Sequence, residues 1–149
     1  MVQTYSDNKY TYSVDMMFAY LHNYKNDKIK LEVSKLVPQM DYKGWGDPAK
    51  GIKYSPMEVL ADPVAYPKDT VRIENANLSY PIIVSYDGNI IDGMHRLSKA
   101  YIDNIKYINA YQFSKKLMKK FIIGRNNDYD SIDRMKTYDF INLYVTRFC

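Results

Sequence analysis

Asp92-Gly93-Met94-His95-Arg96 is a run whose residue types and order suit one piece of chemistry, the capture of a phosphate. A strand that turns through a glycine straight into a helix presents unpaired backbone N–H groups and the positive end of the helix dipole. Gly93 and Met94 would offer their backbone to the anion, Arg96 can add a planar two-pronged fork, and His95 can donate a hydrogen bond or, once protonated, a charge. Each residue also has a plain structural use: Asp92 as a helix N-cap, His95 as a satisfied polar side chain, Arg96 as a solvated first-turn residue. Convergence of three kinds of donor on one point favours the phosphate site. Lys99, one turn after His95, can reach the same cradle or point to water, and Arg72, ahead of the core strand, can serve a ligand or an ion pair.

The elements that must hold this run are legible around it. Pro81 to Tyr86 and Asn89 to Ile91 flank Asp87-Gly88, a dipeptide that supplies the positive φ angles of a tight hairpin turn. Leu97, Ala100 and Tyr101 then recur at helical spacing from His95 to about Asp103. The order is hairpin, sharp turn, helix. Upstream, Ser13 caps a helix to Tyr24. Ile29, Leu31 and Val33 alternate with polar residues as a first strand that Pro38 ends, and Ser55-Pro56-Met57-Glu58 opens a short helix to about Leu60. Asp69 starts a brief turn through Ile73. Between these lies Asp41 to Gly51, too rich in glycine and proline for a regular element, with Trp45 as its anchor; with Tyr42, Trp45 can cover a bound base or substrate as a lid, or pack at the rim. Downstream, Tyr107 to Phe113 is a strand, Ser114 caps a helix from Lys115 to Ile123 that Gly124 stops, and a last helix starts near Ser131 with Ile132, Met135, Ile141 and Tyr144 as its buried stripe.

The 149 residues, 46% of them apolar, suit one domain with a real core. The 16 tyrosines against one tryptophan reflect composition more than function. A formal charge of +4 assists any anionic ligand, but the lysines are scattered. Lys115-Lys116-Leu117-Met118-Lys119-Lys120 reads as the wet face of a packed helix, since no aromatic platform interleaves with it. A single cysteine, Cys149, excludes an intrachain disulfide and a Cys-rich zinc site, and with two distant histidines no intrinsic metal is expected. No run is long enough to span a membrane, and the stretch from Met1 to Tyr5 lacks the apolar core of a leader, so a soluble, intracellular (cytoplasmic) protein is expected.

The stretches Arg72 to Val84 and Asp87 to Ala100 together resemble the core of the ParB/sulfiredoxin superfamily, with similarity running from about Ile29 to Phe113. They are most similar to the small stand-alone ParB-like proteins, including the free serine kinases, in which a strand leads into Asp-Gly-x-His-Arg and the His-Arg pair holds nucleotide phosphates. The resemblance implies an α/β fold: a small mixed sheet with flanking helices, a phosphate-binding helix after a central β-hairpin, and a helical extension over 114–149. It also implies Mg²⁺ with ATP or ADP, or with CTP, and phosphoryl transfer to a small hydroxyl-bearing substrate such as serine, or nucleotide hydrolysis.

Two departures narrow the class. Met94 stands where sulfiredoxins place their catalytic cysteine, which argues against that chemistry. The roughly 36 residues after Phe113 are short for the DNA-binding domain of the chromosome-partitioning members. By resemblance to the serine kinases, the general base is an acidic residue near the first strand, Asp41 or Glu32; either is equally readable as an ordinary surface carboxylate. Asp92 can orient an acceptor hydroxyl or hold Mg²⁺ through a water. The rival classes are a ParB-like nucleic-acid-binding module or nuclease, and a domain that binds nucleotide without turnover.

Overall fold

A computed structural model describes residues 3–149; Met1 and Val2, part of the stretch read above for a leader, lie outside the described residues. By its contacts the chain separates into two compact units, one formed by the segments up to Asn26 and from Phe113 to Cys149, the other by Asp27–Gln112.

The chain begins in the first unit with β1 (Thr4–Ser6) and β2 (Tyr10–Ser13), paired antiparallel. Ser13 then caps α1 (Val14–Asn23), its hydroxyl accepting from the Met16 amide, as its position ahead of the helical pattern predicts.

In the second unit, β3 (Ile29–Glu32) is shorter than the alternation suggests. Val33 opens the short helix α2 (Val33–Leu36) instead, and Pro38 sits inside a following 3₁₀ turn, Val37–Asp41, near its start, where a proline costs no hydrogen bond. The buried face expected for this strand is only partly formed: Ile29 is exposed, Leu31 is half-buried against the core, and Val33, now in α2, is the buried residue. The breaker-rich stretch is not a loop. It folds into a hairpin, β4 (Trp45–Asp47) with β5 (Ile52–Tyr54). Gly46 makes this possible: its φ is +116°, and a Cβ there would stand 2.4 Å from the Ile52 carbonyl oxygen. Ser55 caps α3 (Pro56–Ala61), accepting from the Glu58 amide. The brief turn expected from Asp69 is a full helix, α4 (Pro67–Glu74), started by a proline at its first position.

Next come β6 (Ile82–Val84) and β7 (Ile90–Asp92), the hairpin the sequence marks most clearly. Its connection differs from a two-residue turn: the Gly88 amide bonds Ser85 O, the Ser85 amide bonds Asn89 O, and Gly88 alone takes positive φ, the pattern of a three-residue loop. After it run α5 (Met94–Ile102) and β8 (Tyr107–Gln112). The strand order is β3-β8-β6-β7, with β6 and β8 parallel and the other pairs antiparallel, so the sheet is small and mixed. Val33, Leu36, Ile82, Val84, Leu97 and Ile108 form its core, burying the apolar stripe of α5.

Back in the first unit, the helix expected over 115–123 stops early. It comprises α6 (Lys115–Met118) and a 3₁₀ turn, after which the chain extends into β9 (Ile122–Arg125), pairing with β2. Gly124 is therefore a strand residue opposite Thr11, not a helix stop, and the C-terminal segment is not purely helical. The last helix is split into α7 (Tyr129–Asp133) and α8 (Thr137–Phe148). Phe140 is its buried anchor, whereas Ile141 of the expected stripe is exposed. None of the described helices is long and apolar enough to cross a membrane.

Candidate functional site

Gly93 joins the hairpin to α5 and is the N-cap, with φ +113°. A Cβ at this position would fall 2.4 Å from Ile82 Cγ2, so glycine is required both by conformation and by the closeness of the strand beneath. The first amide of α5 bonded to the cap is Leu97, on Gly93 O; those of Met94, His95 and Arg96 precede it, and no side chain caps them. Met94 packs against the sheet core and contributes backbone alone.

Asp92 is not the N-cap. It ends β7, and its Oδ2 accepts from Arg96 Nη2 at 2.7 Å. The Arg96 fork expected to face a phosphate is largely spent inside the protein: Nη1 donates to Pro81 O at 2.8 Å and to Tyr80 O at 3.3 Å. The pair has two effects. It fastens the first turn of α5 to the segment leading into β6, and it pairs the carboxylate that stands two residues before the uncapped amides. Lys99 is turned toward α4: its Nζ donates to Glu74 O at the C-terminal end of that helix, with Asp103 3.8 Å away.

His95 is held from the other side. Its Nε2 lies 2.9 Å from Oδ1 of Asp69, a buried residue of α4, and the Tyr54 hydroxyl donates to Oδ2 of the same carboxylate. Trp45 stacks on the imidazole, ring centroids 4.1 Å apart and planes 14° from parallel, and meets Tyr54 edge-on. The hairpin β4–β5 thus lies over His95 through Trp45 and brings in Tyr54, which also packs on Tyr66. Burial pushes the His95 imidazole below its ordinary value of 6.5; the bond to Asp69 pulls the other way, and the nearby charge of Arg72 adds to the lowering. Tyr54 is pushed up to about 12, first by its bond to Asp69 and then by burial. The direction of the first shift favours the neutral imidazole, and that of the second keeps the tyrosine a donor.

Arg72 stands exposed on α4, close enough for its charge to act on both His95 and Tyr54, and makes no hydrogen bond or ion pair with the described residues. Of the remaining candidates, Tyr42 and Asp41 are exposed. Glu32 is half-exposed and lies 3.9 Å from Lys35. The sheet separates Glu32 from Asp92: β3 and β7 are opposite edges, about 14 Å apart across three strand spacings, and the registers place the two residues at different levels. Nothing in this geometry brings Glu32 to the α5 N-terminus. Among the described residues no group of three His, Cys, Asp or Glu side chains is placed to hold a metal ion.

Asp69 was read from the sequence only as the start of a turn, and Tyr54 and Tyr66 not at all. Asp69 meets Tyr54 and His95 across 15 and 26 residues of chain, beyond any local pattern. Comparison of the chain with protein-family models, curated proteins and solved structures gives no match.

Proposed function

We propose that the unit Asp27–Gln112 binds the phosphates of a nucleotide at the N-terminus of α5 and transfers a phosphoryl group to a small hydroxyl-bearing substrate, serine or a similar compound, or to water. The observation that carries this reading is the uncapped first turn of α5, set by a left-handed glycine directly on a β-strand. Three amide donors and the helix dipole point the same way there. The Asp92–Arg96 pair removes the carboxylate repulsion that would otherwise oppose an anion, and Arg72 offers an unengaged guanidinium on the neighbouring helix. The hairpin-turn-helix order and the run from Asp92 to Arg96 support kinship with stand-alone ParB/sulfiredoxin-like proteins.

Phosphoryl transfer relies on positioning and charge neutralisation more than on covalent help from the protein. The donors present suit ATP or ADP, with CTP as the alternative. Mg²⁺ fits as an ion carried by the nucleotide, since it keeps much of its water shell and needs few protein ligands. Its contribution would be to neutralise charge on the transferring phosphoryl group. A cytoplasmic setting belongs to the same proposal, nucleotides being the substrates.

The test is incubation of the full chain with ATP, ADP or CTP, Mg²⁺ and free serine, followed by phosphorus NMR, with thermal shift recorded in parallel. Nucleotide consumption is expected. Stabilisation without consumption would leave a binding domain, and neither effect would remove the nucleotide reading altogether.

A further inference from the structure

We propose that His95 is the proton acceptor of the reaction and that Tyr54 and Asp69 are positioning residues that leave its Nδ1 as the basic atom; this assignment rests on the phosphotransfer reading above. The argument follows the hydrogens. Tyr54 keeps its proton throughout the neutral range and donates it to Asp69 Oδ2. An ionised carboxylate only accepts, so the 2.9 Å contact between Asp69 Oδ1 and His95 Nε2 places the imidazole hydrogen on Nε2. In the neutral ring Nδ1 then carries the lone pair.

Nδ1 is also accessible. No described residue hydrogen-bonds it, and among the described residues no fully buried side-chain nitrogen or oxygen lacks a partner, so this atom is open to solvent or substrate. The charged and titratable groups around the ring are Asp69 and Arg72 from α4, Asp92 from β7 and Tyr54 from β5. Trp45 covers one ring face and, with Asp69, fixes the ring plane. A base held in one tautomer by a carboxylate, itself held by a second donor, has the arrangement in which imidazole abstracts a proton most effectively.

In the reaction, the O–H bond of the acceptor breaks and its proton passes to Nδ1. The oxygen bonds the terminal phosphorus as the bond from phosphorus to the bridging oxygen breaks, and that electron pair leaves with the nucleotide product. Asp69 stabilises the imidazolium until it returns the proton to water. Phosphate binding is left to the amides of α5 and to Arg72, so His95 need not be charged when substrate arrives.

Long-range nitrogen–proton NMR of the full chain reads the tautomer directly, and phosphorus NMR across pH reads turnover of the wild type, His95→Gln and Asp69→Asn. The expected results are an Nε2–H ring at pH 7 and a loss in His95→Gln of about 100-fold or more in turnover, the usual scale of general-base catalysis, with nucleotide affinity changed far less. Asp69→Asn should move the acid limb of the pH–rate profile and allow an Nδ1–H population. An Nδ1–H ring in the wild type, or turnover that survives His95→Gln, overturns the assignment of His95 alone. An unmoved acid limb in Asp69→Asn overturns the positioning role. Wild-type protein that consumes no nucleotide removes the phosphotransfer reading and the catalytic role together.

Discussion

Arg96→Ala separates a residue that serves the fold from one that serves a ligand. The guanidinium makes a charge-assisted bond to Asp92 at 2.7 Å and bonds to two carbonyls of the segment leading into β6, with the side chains of Arg96 and Asp92 only 20% and 22% exposed. A hydrogen bond to a charged group contributes about 1.5–3 kcal/mol, and removing one partner leaves the other partly desolvated without its counter-charge. Residual solvent at the pair discounts the sum, so the expected cost is about 2–3 kcal/mol. With a urea slope of about 1–3 kcal/mol per molar, the unfolding midpoint should fall by about 1 M. Trp45, the sole tryptophan, lies in the same unit stacked on His95, so its fluorescence reports the unfolding of that unit. Arg96→Lys should recover little, because an ammonium cannot reach Asp92 and the carbonyls with one planar group. An unchanged midpoint together with a tenfold or larger loss of nucleotide affinity, about 1.4 kcal/mol, would refute the reasoning and return the arginine to the ligand.

Gly93→Ala should destabilise by about 2–5 kcal/mol, from the positive φ and the overlap with Ile82; in a double-mutant cycle with Ile82→Ala the costs should be less than additive, and strict additivity would place the clash elsewhere. Tyr54→Phe removes a donor from buried Asp69 and should cost about 1–3 kcal/mol at neutral pH. Because the folded value of Tyr54 is raised from 10.0 to about 12, its contribution is complete below pH 10 and is lost as pH climbs toward 12; the difference between wild type and Tyr54→Phe in alkaline unfolding should shrink across that window. The sign is opposite for His95. Its folded value is lowered, so the unfolded chain takes up its proton first, and stability should decline as pH falls below about 6.5, a slope that His95→Gln should reduce in acid titrations followed by Trp45 fluorescence.

Local signals carried much of the frame in both units. Ser13, Ser55-Pro56 and the hairpin ahead of Gly93 each state their structure within four or five residues, and those elements form where the sequence puts them. Elements defined by distant partners were not legible. Ile122–Arg125 looks like a helix end until β2 is known to pair with it, and Thr11 reaches Asn126, 115 residues on, to hydrogen-bond its side chain. The stretch around Trp45 failed for a different reason: its glycines signal irregularity, yet Gly46 uses its freedom to let two strands approach. At the site, the run from Asp92 to Arg96 marked the place but not the division of labour. Whether an arginine faces a ligand or a carbonyl depends on which backbone oxygens the fold leaves within reach, here those of Tyr80 and Pro81.

The division of the chain also fixes an order of events during synthesis. The first unit needs β2 and β9 side by side, but one is translated long before the other, and its edge must wait. The stretch made in between can collapse on its own local contacts. When it does, Ile29 comes to pair with Ala110, so the points where the chain enters and leaves that stretch arrive on adjacent strands. Most of the entropy of closing the long loop is then already spent, and the late segments have a much shorter effective loop left to close. A substitution that slows the inner unit should therefore delay the outer one even where it touches none of its residues, leaving β2 as an exposed strand edge open to wrong partners on the ribosome.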